Sequence, residues 1–192
     1  VRSIRGQMLR IHEFQERGDF VRAAAAAIQA AAEESIAARG LFHLVLAGGE
    51  TPRGVYAALV GLKTAWPLWR FYTGDERCVP KEDAVRNSVM IRSSLLNHIP
   101  VSRTQFVDVP AEMGATEGAR LYCEKLRDVP LFDLSLLGLG EDGHTASLFP
   151  GKTMSSLAAT EPDALAVFDA PKAPAQRVSL SVDRLNRSRR IL

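Results

Sequence analysis

The stretch Leu41-Phe42-His43-Leu44-Val45-Leu46-Ala47-Gly48-Gly49-Glu50-Thr51-Pro52-Arg53-Gly54 decides the fold class. Residues 41–47 form a nearly continuous apolar run, which is typical of a strand buried on both faces of a parallel sheet. The two glycines that follow allow a tight turn, and Thr51 and Pro52 predict the N-cap and the first position of a helix. A buried strand that leads directly into a helix is the basic unit of an α/β fold.

The same alternation of strand and helix patterns extends along the rest of the chain. Apolar periodicity predicts helices over Met8–Glu16, Phe20–Arg39, Ala84–His98 and Thr116–Arg127. It predicts further strands over Trp69–Thr73, Thr104–Val107, Leu131–Leu137, Leu165–Phe168 and Arg177–Ser181. The predicted fold class is α/β, with an open, doubly wound, mostly parallel sheet and helices on both faces, and residues 1–192 are expected to form a single domain.

The composition excludes several classes of protein. Of 192 residues, 46% are hydrophobic and 24% are charged, which is ordinary for a globular domain and rules out wholesale disorder. A net charge of +2 argues against a strongly basic nucleic-acid surface, and no segment has the pattern of a membrane span or a targeting signal. Cys78 and Cys123 lack the spacing of a metal site or a redox motif, so we expect reduced thiols and a cytoplasmic location. From the charge and the lack of a membrane segment, we expect no nucleic-acid or membrane partner.

Two strand ends carry residues suited to anions. Gly48, Gly49 and Thr51 lead into a helix whose first amides can bind a phosphate, and Arg53 can add a charged hydrogen bond. A plain strand-to-helix turn remains the alternative there, and the Glu50 carboxylate counts slightly against a phosphate.

The second strand is followed by the charged residues Asp75, Glu76 and Arg77, which are better placed to line a cleft than to enter a core. Arg77 suits a carboxylate or a phosphate, and Asp75 suits a sugar hydroxyl or the orientation of Arg77. The alternative is a solvated turn with an internal ion pair.

A third strand end, residues 138–151, reads G-L-G-E-D-G-H-T-A-S-L-F-P-G. It matches the G-x-G-x-x-G of dinucleotide-binding folds, with Glu161 and Asp163 near the expected acidic spacing. We reject that interpretation because Pro150 interrupts any long helix and because the motif comes late in the chain.

His144 is the candidate acid/base in this loop, since imidazole titrates near neutral pH and Asp142 is placed to orient it. The other histidines, His12, His43 and His98, are assigned structural roles.

These blocks, namely residues 47–56, 71–80, 87–92 and 137–151 with a weaker one at 176–181, resemble the glucosamine-6-phosphate isomerase/6-phosphogluconolactonase family. Deaminases of the family are similar through D-G-H but then continue toward an asparagine- and glutamate-containing stretch. Here Thr-Ala-Ser-Leu-Phe-Pro follows at 145–150, which favours the lactonases.

The resemblance implies hydrolysis of 6-phospho-D-glucono-1,5-lactone, in the oxidative pentose phosphate pathway, without metal or organic cofactor. It implies that His144 is the acid/base. The substrate and phosphate positions it implies are Gly48, Gly49, Thr51, Arg53 and Arg77, with Asn87 and Arg177 also matching motif positions. The expected partner is a small sugar-phosphate lactone, and the expected state is a monomer or a weak homodimer.

The sequence departs from the family pattern in two places. Glu50 stands where family members often have serine, which predicts a differently tuned phosphate site. The chain ends at Leu192, in the expected start of another strand after Asn186, so we expect it to lack the family's final strand and helix. Two rival functions remain open: a glucosamine-6-phosphate deaminase/isomerase and a non-catalytic sugar-phosphate sensor.

Overall fold

The computed structural model describes residues 10–151 and 162–192. Within them, the helices are α1 (Arg17–Arg39), α2 (Glu50–Val60), α3 (Asn87–Ser94), α4 (Ala115–Leu126) and α5 (Val182–Asn186). The strands are β1 (Phe42–Leu46), β2 (Trp69–Thr73), β3 (Asp75–Arg77), β4 (Phe106–Val107), β5 (Leu134–Ser135), β6 (Ala164–Val167) and β7 (Arg177–Leu180). The predicted α/β fold class is confirmed.

Four strands form a parallel sheet in the order β4-β2-β1-β5. Side chains of the central strand β1 alternate between two hydrophobic cores. Phe42, Leu44 and Leu46 pack in a core with residues of α1, α2 and α3, whereas Val45 packs with α4 and with strands β6 and β7. Burial on both faces explains why residues 41–47 read as a continuous apolar run.

A second sheet was not predicted. Strand β7 pairs antiparallel with β3 on one side and with β6 on the other. The sequence predicted that Asp75, Glu76 and Arg77 line a cleft, with a solvated turn as the alternative, and it did not predict a strand there. These residues form β3, with Asp75 opposite Ser179. Their charged side chains do not match the apolar pattern that predicts a buried strand, so the sequence pattern did not predict β3.

Several predicted boundaries were wrong. The helix predicted at Met8–Glu16 begins outside the described residues, and its described part, residues 10–16, is not helical. The helix predicted over Ala84–His98 is shorter, because α3 ends at Ser94 and a single 3-10 turn follows. The strand predicted over Leu131–Leu137 is reduced to β5.

Residues 187–192 extend the parallel sheet beyond β5. Ser188 and Ile191 form parallel bridges with Phe132 and Ser135. Backbone hydrogen bonds continue this pairing, with the Leu137 amide donating to the Leu192 carbonyl at 2.8 Å. This pairing brings Leu192 to the edge of the cavity described below.

The partly buried His43 makes stability depend on pH. Burial lowers the pKa of its imidazole below 6.5, although Asp133 acts in the opposite direction. The unfolded chain therefore binds this proton in a pH range where the folded chain does not. The contribution of His43 to stability is fully present above pH 6.5 and is lost as the pH falls toward the lower, folded-state pKa.

We expect the thermal unfolding midpoint to fall more between about pH 7.5 and about pH 5.5 in the wild type than in His43→Gln. Differential scanning calorimetry at both pH values measures this. Equal falls in the two proteins would assign the acid sensitivity to other groups.

Candidate active site

The helix that follows β1 begins earlier than predicted. The N-cap of α2 is Gly49, at φ 106°, and no side chain caps the helix. The assignment of Thr51 as N-cap and of Pro52 as the first helical residue was therefore wrong. A glycine is required at position 49 because other residues rarely adopt this backbone conformation.

The carboxyl ends of the parallel strands open into a cavity of about 530 Å³. Most of the predicted site residues line it, namely Gly48, Gly49, Thr51, Asp75, Arg77, Asn87, His144 and Arg177. Among the described residues, 10–151 and 162–192, two predicted site residues do not line the cavity: Arg53 and Asp142. Arg53 pairs with Glu50 at 3.4 Å on the exposed side of α2, and Asp142 stands behind His144.

A hydrogen-bonded group centred on Asp75 forms the polar wall of the cavity. The Asn87 side-chain amide donates to the Asp75 carbonyl at 2.8 Å and to its carboxylate Oδ1 at 3.0 Å. The Ser147 hydroxyl donates to the other carboxylate oxygen, Oδ2, at 2.6 Å. Burial raises the pKa of Asp75, while the hydrogen bond from Ser147 and the charge of Arg77 lower it. Ser147 was not predicted; its position in the His144 loop was the only available signal.

Gly48 fits against Asn87 so closely that a side chain in place of its hydrogen must push Asn87 aside. A Cβ at Gly48 would lie 1.9 Å from the Asn87 Oδ1 atom. Because Asp75 holds Asn87 in place, an alanine at this position must displace the polar wall.

We therefore expect Gly48→Ala to lower kcat/KM for the substrate by about tenfold or more. Gly61→Ala is the matched control, since it lies at the other end of α2 and its Cβ would meet nothing closer than 3.9 Å. Steady-state kinetics of the two variants test this prediction, and equal effects would contradict it.

Two arginines face the cavity from the second sheet. Arg77 lies on β3 and is paired in register with Arg177 on β7. The Arg177 guanidinium donates to the Lys172 carbonyl at 2.7 Å and to the Ser147 hydroxyl at 3.5 Å. Burial lowers the pKa of Arg177, and the like charge of Arg77 adds to this effect. Two neighbouring guanidiniums with one buried carboxylate favour an anionic ligand.

Contacts within its own loop hold His144 in a defined orientation. The Gly140 amide donates to the His144 carbonyl at 2.8 Å, and the imidazole packs 4.9 Å from the ring centre of Phe149. Its Nδ1 atom is hydrogen-bonded to the Asp142 carboxylate. This bond holds the pKa of Asp142 below its ordinary value, so the carboxylate stays ionised at neutral pH. An ionised acceptor at Nδ1 leaves Nε2 as the atom available for proton transfer.

Glu76, the middle one of the three charged residues after β2, does not line the cavity. The Glu76 side chain is fully buried and accepts hydrogen bonds from the Asn87 and Ser88 amides, both at 2.8 Å. It also forms an ion pair with the buried Arg86 at 3.3 Å. Glu76 therefore stabilises the beginning of α3, which in turn places Asn87 at the cavity.

The described ranges, 10–151 and 162–192, contain no group of three or more His, Cys, Asp or Glu side chains that could hold a metal ion. No helix in the same ranges is long and apolar enough to cross a membrane.

Residues 15–192 match the family described as glucosamine-6-phosphate isomerases/6-phosphogluconolactonase. The chain belongs to this family. It is 32% identical over 192 residues to the 6-phosphogluconolactonase of Mycobacterium leprae, covering 93% of this chain and 77% of that protein. It is 35% identical over 169 residues to the human 6-phosphogluconolactonase, covering 81% of this chain and 64% of that protein.

A solved structure supports the same family relationship. The crystal structure of a 6-phosphogluconolactonase from Shewanella baltica has a TM-score of 0.84 at 30% identity, covering 93% of this chain and 77% of that one. The chain also spans 22% of the rabbit GDH/6PGL endoplasmic bifunctional protein, with 33% identity over 176 residues. The chain therefore spans between about a fifth and about three quarters of these family members.

Proposed function

We propose that this family member hydrolyses 6-phospho-D-glucono-1,5-lactone to 6-phospho-D-gluconate, in the oxidative pentose phosphate pathway. The observation that carries the proposal is the His144–Asp142 pair, which lies at a cavity that also presents Arg77 and Arg177. A proton-transfer group beside two cations suits a reaction in which water attacks a carbonyl of an anionic substrate.

His144 supplies the proton transfers. Its Nε2 atom takes a proton from water as the water oxygen bonds to the lactone carbonyl carbon. The bond from that carbon to the ring oxygen then breaks, and Nε2 returns the proton to the departing ring oxygen. Asp142 holds the imidazole by its Nδ1 atom and stabilises the positive charge that the ring carries between these two transfers.

The cavity offers separate groups for the phosphate and for the lactone carbonyl of the substrate. The amides of Gly48 and Gly49 lead into α2, whose N-terminus favours an anion such as the sugar phosphate. Arg77 and Arg177 lie beside the polar wall and are suited to stabilise the negative charge that develops on the carbonyl oxygen. Anchoring the phosphate holds the carbonyl carbon in position for attack.

Three substrates test the proposed function in parallel. We expect rapid acid release from the phosphorylated lactone, slower release from the unphosphorylated gluconolactone, and no ammonia from glucosamine 6-phosphate. The rates are measured by titration at constant pH and corrected for spontaneous hydrolysis. Ammonia release without lactone hydrolysis would identify a deaminase, and phosphosugar binding without any turnover would identify a sensor; either result would contradict the proposal.

We also propose that the chain works in the cytoplasm as a monomer or weak homodimer. The free thiols of Cys78 and Cys123 suit a reducing compartment.

We further propose that residues 1–192 act as one domain, because the cavity is lined both by α1, through Phe20 and Ala24, and by β7, through Arg177.

A further inference from the structure

Ser147 connects the loop of His144 to the second sheet. Its side chain has no exposed surface, and its backbone amide donates to the Ser179 hydroxyl at 3.2 Å. The turn that carries it is tight, because the Leu148 amide donates to the Thr145 carbonyl at 2.9 Å. Ala146 within this turn has φ 50°, a conformation that costs free energy and persists only where the surrounding structure maintains it.

The Ser147 hydroxyl lies between the carboxylate of Asp75 and the guanidinium of Arg177. It donates to Asp75 Oδ2 at 2.6 Å and accepts from Arg177 Nη1 at 3.5 Å. The other Asp75 oxygen accepts from Asn87, whose side chain contacts Gly48. A single hydroxyl therefore joins the His144 loop to the wall that faces the substrate.

We propose that Ser147 is a positioning residue for lactone hydrolysis: its hydroxyl fixes Asp75 and Arg177 relative to the loop that carries His144. This inference rests on the proposed function. Ser147 takes no part in the chemical steps, because Asp75 and Arg177 occupy its hydroxyl as acceptor and donor.

The ionisation of Asp75 distinguishes a positioning role of Ser147 from a purely structural one. Only a positioning role predicts that loss of the Ser147 hydroxyl changes the pKa of Asp75. The groups that face this carboxylate are Arg77 and Glu76 from β3, Arg177 from β7, Asn87 from α3 and Ser147 from the His144 loop. Loss of the Ser147 donor disfavours the ionised carboxylate, so the pKa of Asp75 rises further. Asp75 then becomes neutral at a higher pH and no longer balances the two guanidiniums.

The test compares Ser147→Ala with wild type. We expect kcat/KM to fall about 10- to 100-fold. We also expect the contribution of Asp75 to its acid limb to move to higher pH. Ser147→Thr keeps the hydroxyl and is expected to restore both properties toward wild type. Ser135→Ala is the matched control, since it removes an equally buried hydroxyl, whose partner is Ser188 at 2.8 Å. We expect the control to lose stability without any shift of the acid limb.

Carbon-13 NMR of the Asp75 carboxyl, assigned with Asp75→Asn, separates failure of this inference from failure of the proposed function. If wild type hydrolyses no lactone, the proposed function fails, while the shift of the Asp75 titration in Ser147→Ala still tests the link between these residues. An unchanged Asp75 titration and an unchanged acid limb in Ser147→Ala would overturn the inference. Should this variant not fold, Ser147→Cys, which keeps only a weak donor, takes its place with the same expected directions.

Discussion

His144→Ala is expected to lower kcat about 10²- to 10⁴-fold and to leave KM within a few-fold of wild type. In the proposed mechanism the imidazole moves the proton of the attacking water, whereas the N-terminus of α2 binds the substrate phosphate. Removing the proton-transfer group therefore affects the transition state more than it affects the bound substrate. Steady-state kinetics with freshly generated lactone, corrected for the spontaneous rate, measure the effect.

Two further variants define what the loss in His144→Ala means. His98→Ala removes an exposed imidazole that bonds the Ser93 carbonyl at 2.8 Å and does not line the cavity, so we expect it to keep wild-type kinetics. Asp142→Asn keeps His144 but removes the charge that orients it, and we expect a smaller fall in kcat than in His144→Ala. Near-normal kcat in His144→Ala would contradict the assignment of its role.

Glu76→Ala is expected to destabilise the fold by about 2–5 kcal/mol. It removes one of the two carboxylates that pair with the fully buried Arg86, the other being Glu112 at 2.9 Å. It also removes the acceptor of the first two amides of α3. Since a typical domain is stable by only about 5–15 kcal/mol, this is a large fraction of the total. Urea unfolding followed by circular dichroism measures the change.

The matched control is an exposed ion pair. Glu117→Ala breaks the contact with Arg120 on the surface of α4, where solvent screens the charges, so we expect little change in the unfolding midpoint. Equal midpoints for Glu76→Ala and Glu117→Ala would show that the buried pair does not hold the α3 terminus.

The parallel sheet was predictable because its strands lie between two cores. Strand β2 was predicted at Trp69–Thr73 and is found there, since burial on both faces leaves a continuous apolar pattern. Strand β3 was not predictable in this way. Asp75 and Glu76 satisfy their charges with partners remote in sequence, Ser147 and Arg86, and a local pattern carries no information about such contacts.

The candidate site was predictable to the extent that its signals are local. His144 and Asp142 are neighbours in a glycine-rich loop, and the structure brings their side chains into contact. The start of α2 was predicted incorrectly because Thr51 has the chemistry of an N-cap, whereas the backbone conformation of Gly49 decides where the helix begins. Ser147 was missed because its partners, Asp75 and Arg177, come from other parts of the chain.

The most direct test of the central claim is the initial rate of acid release when the purified chain is added to freshly generated 6-phospho-D-glucono-1,5-lactone at constant pH. We expect a rate well above spontaneous hydrolysis, proportional to the concentration of the chain and lost in folded His144→Ala. A rate equal to the spontaneous one, or an acceleration that survives in His144→Ala, would contradict it.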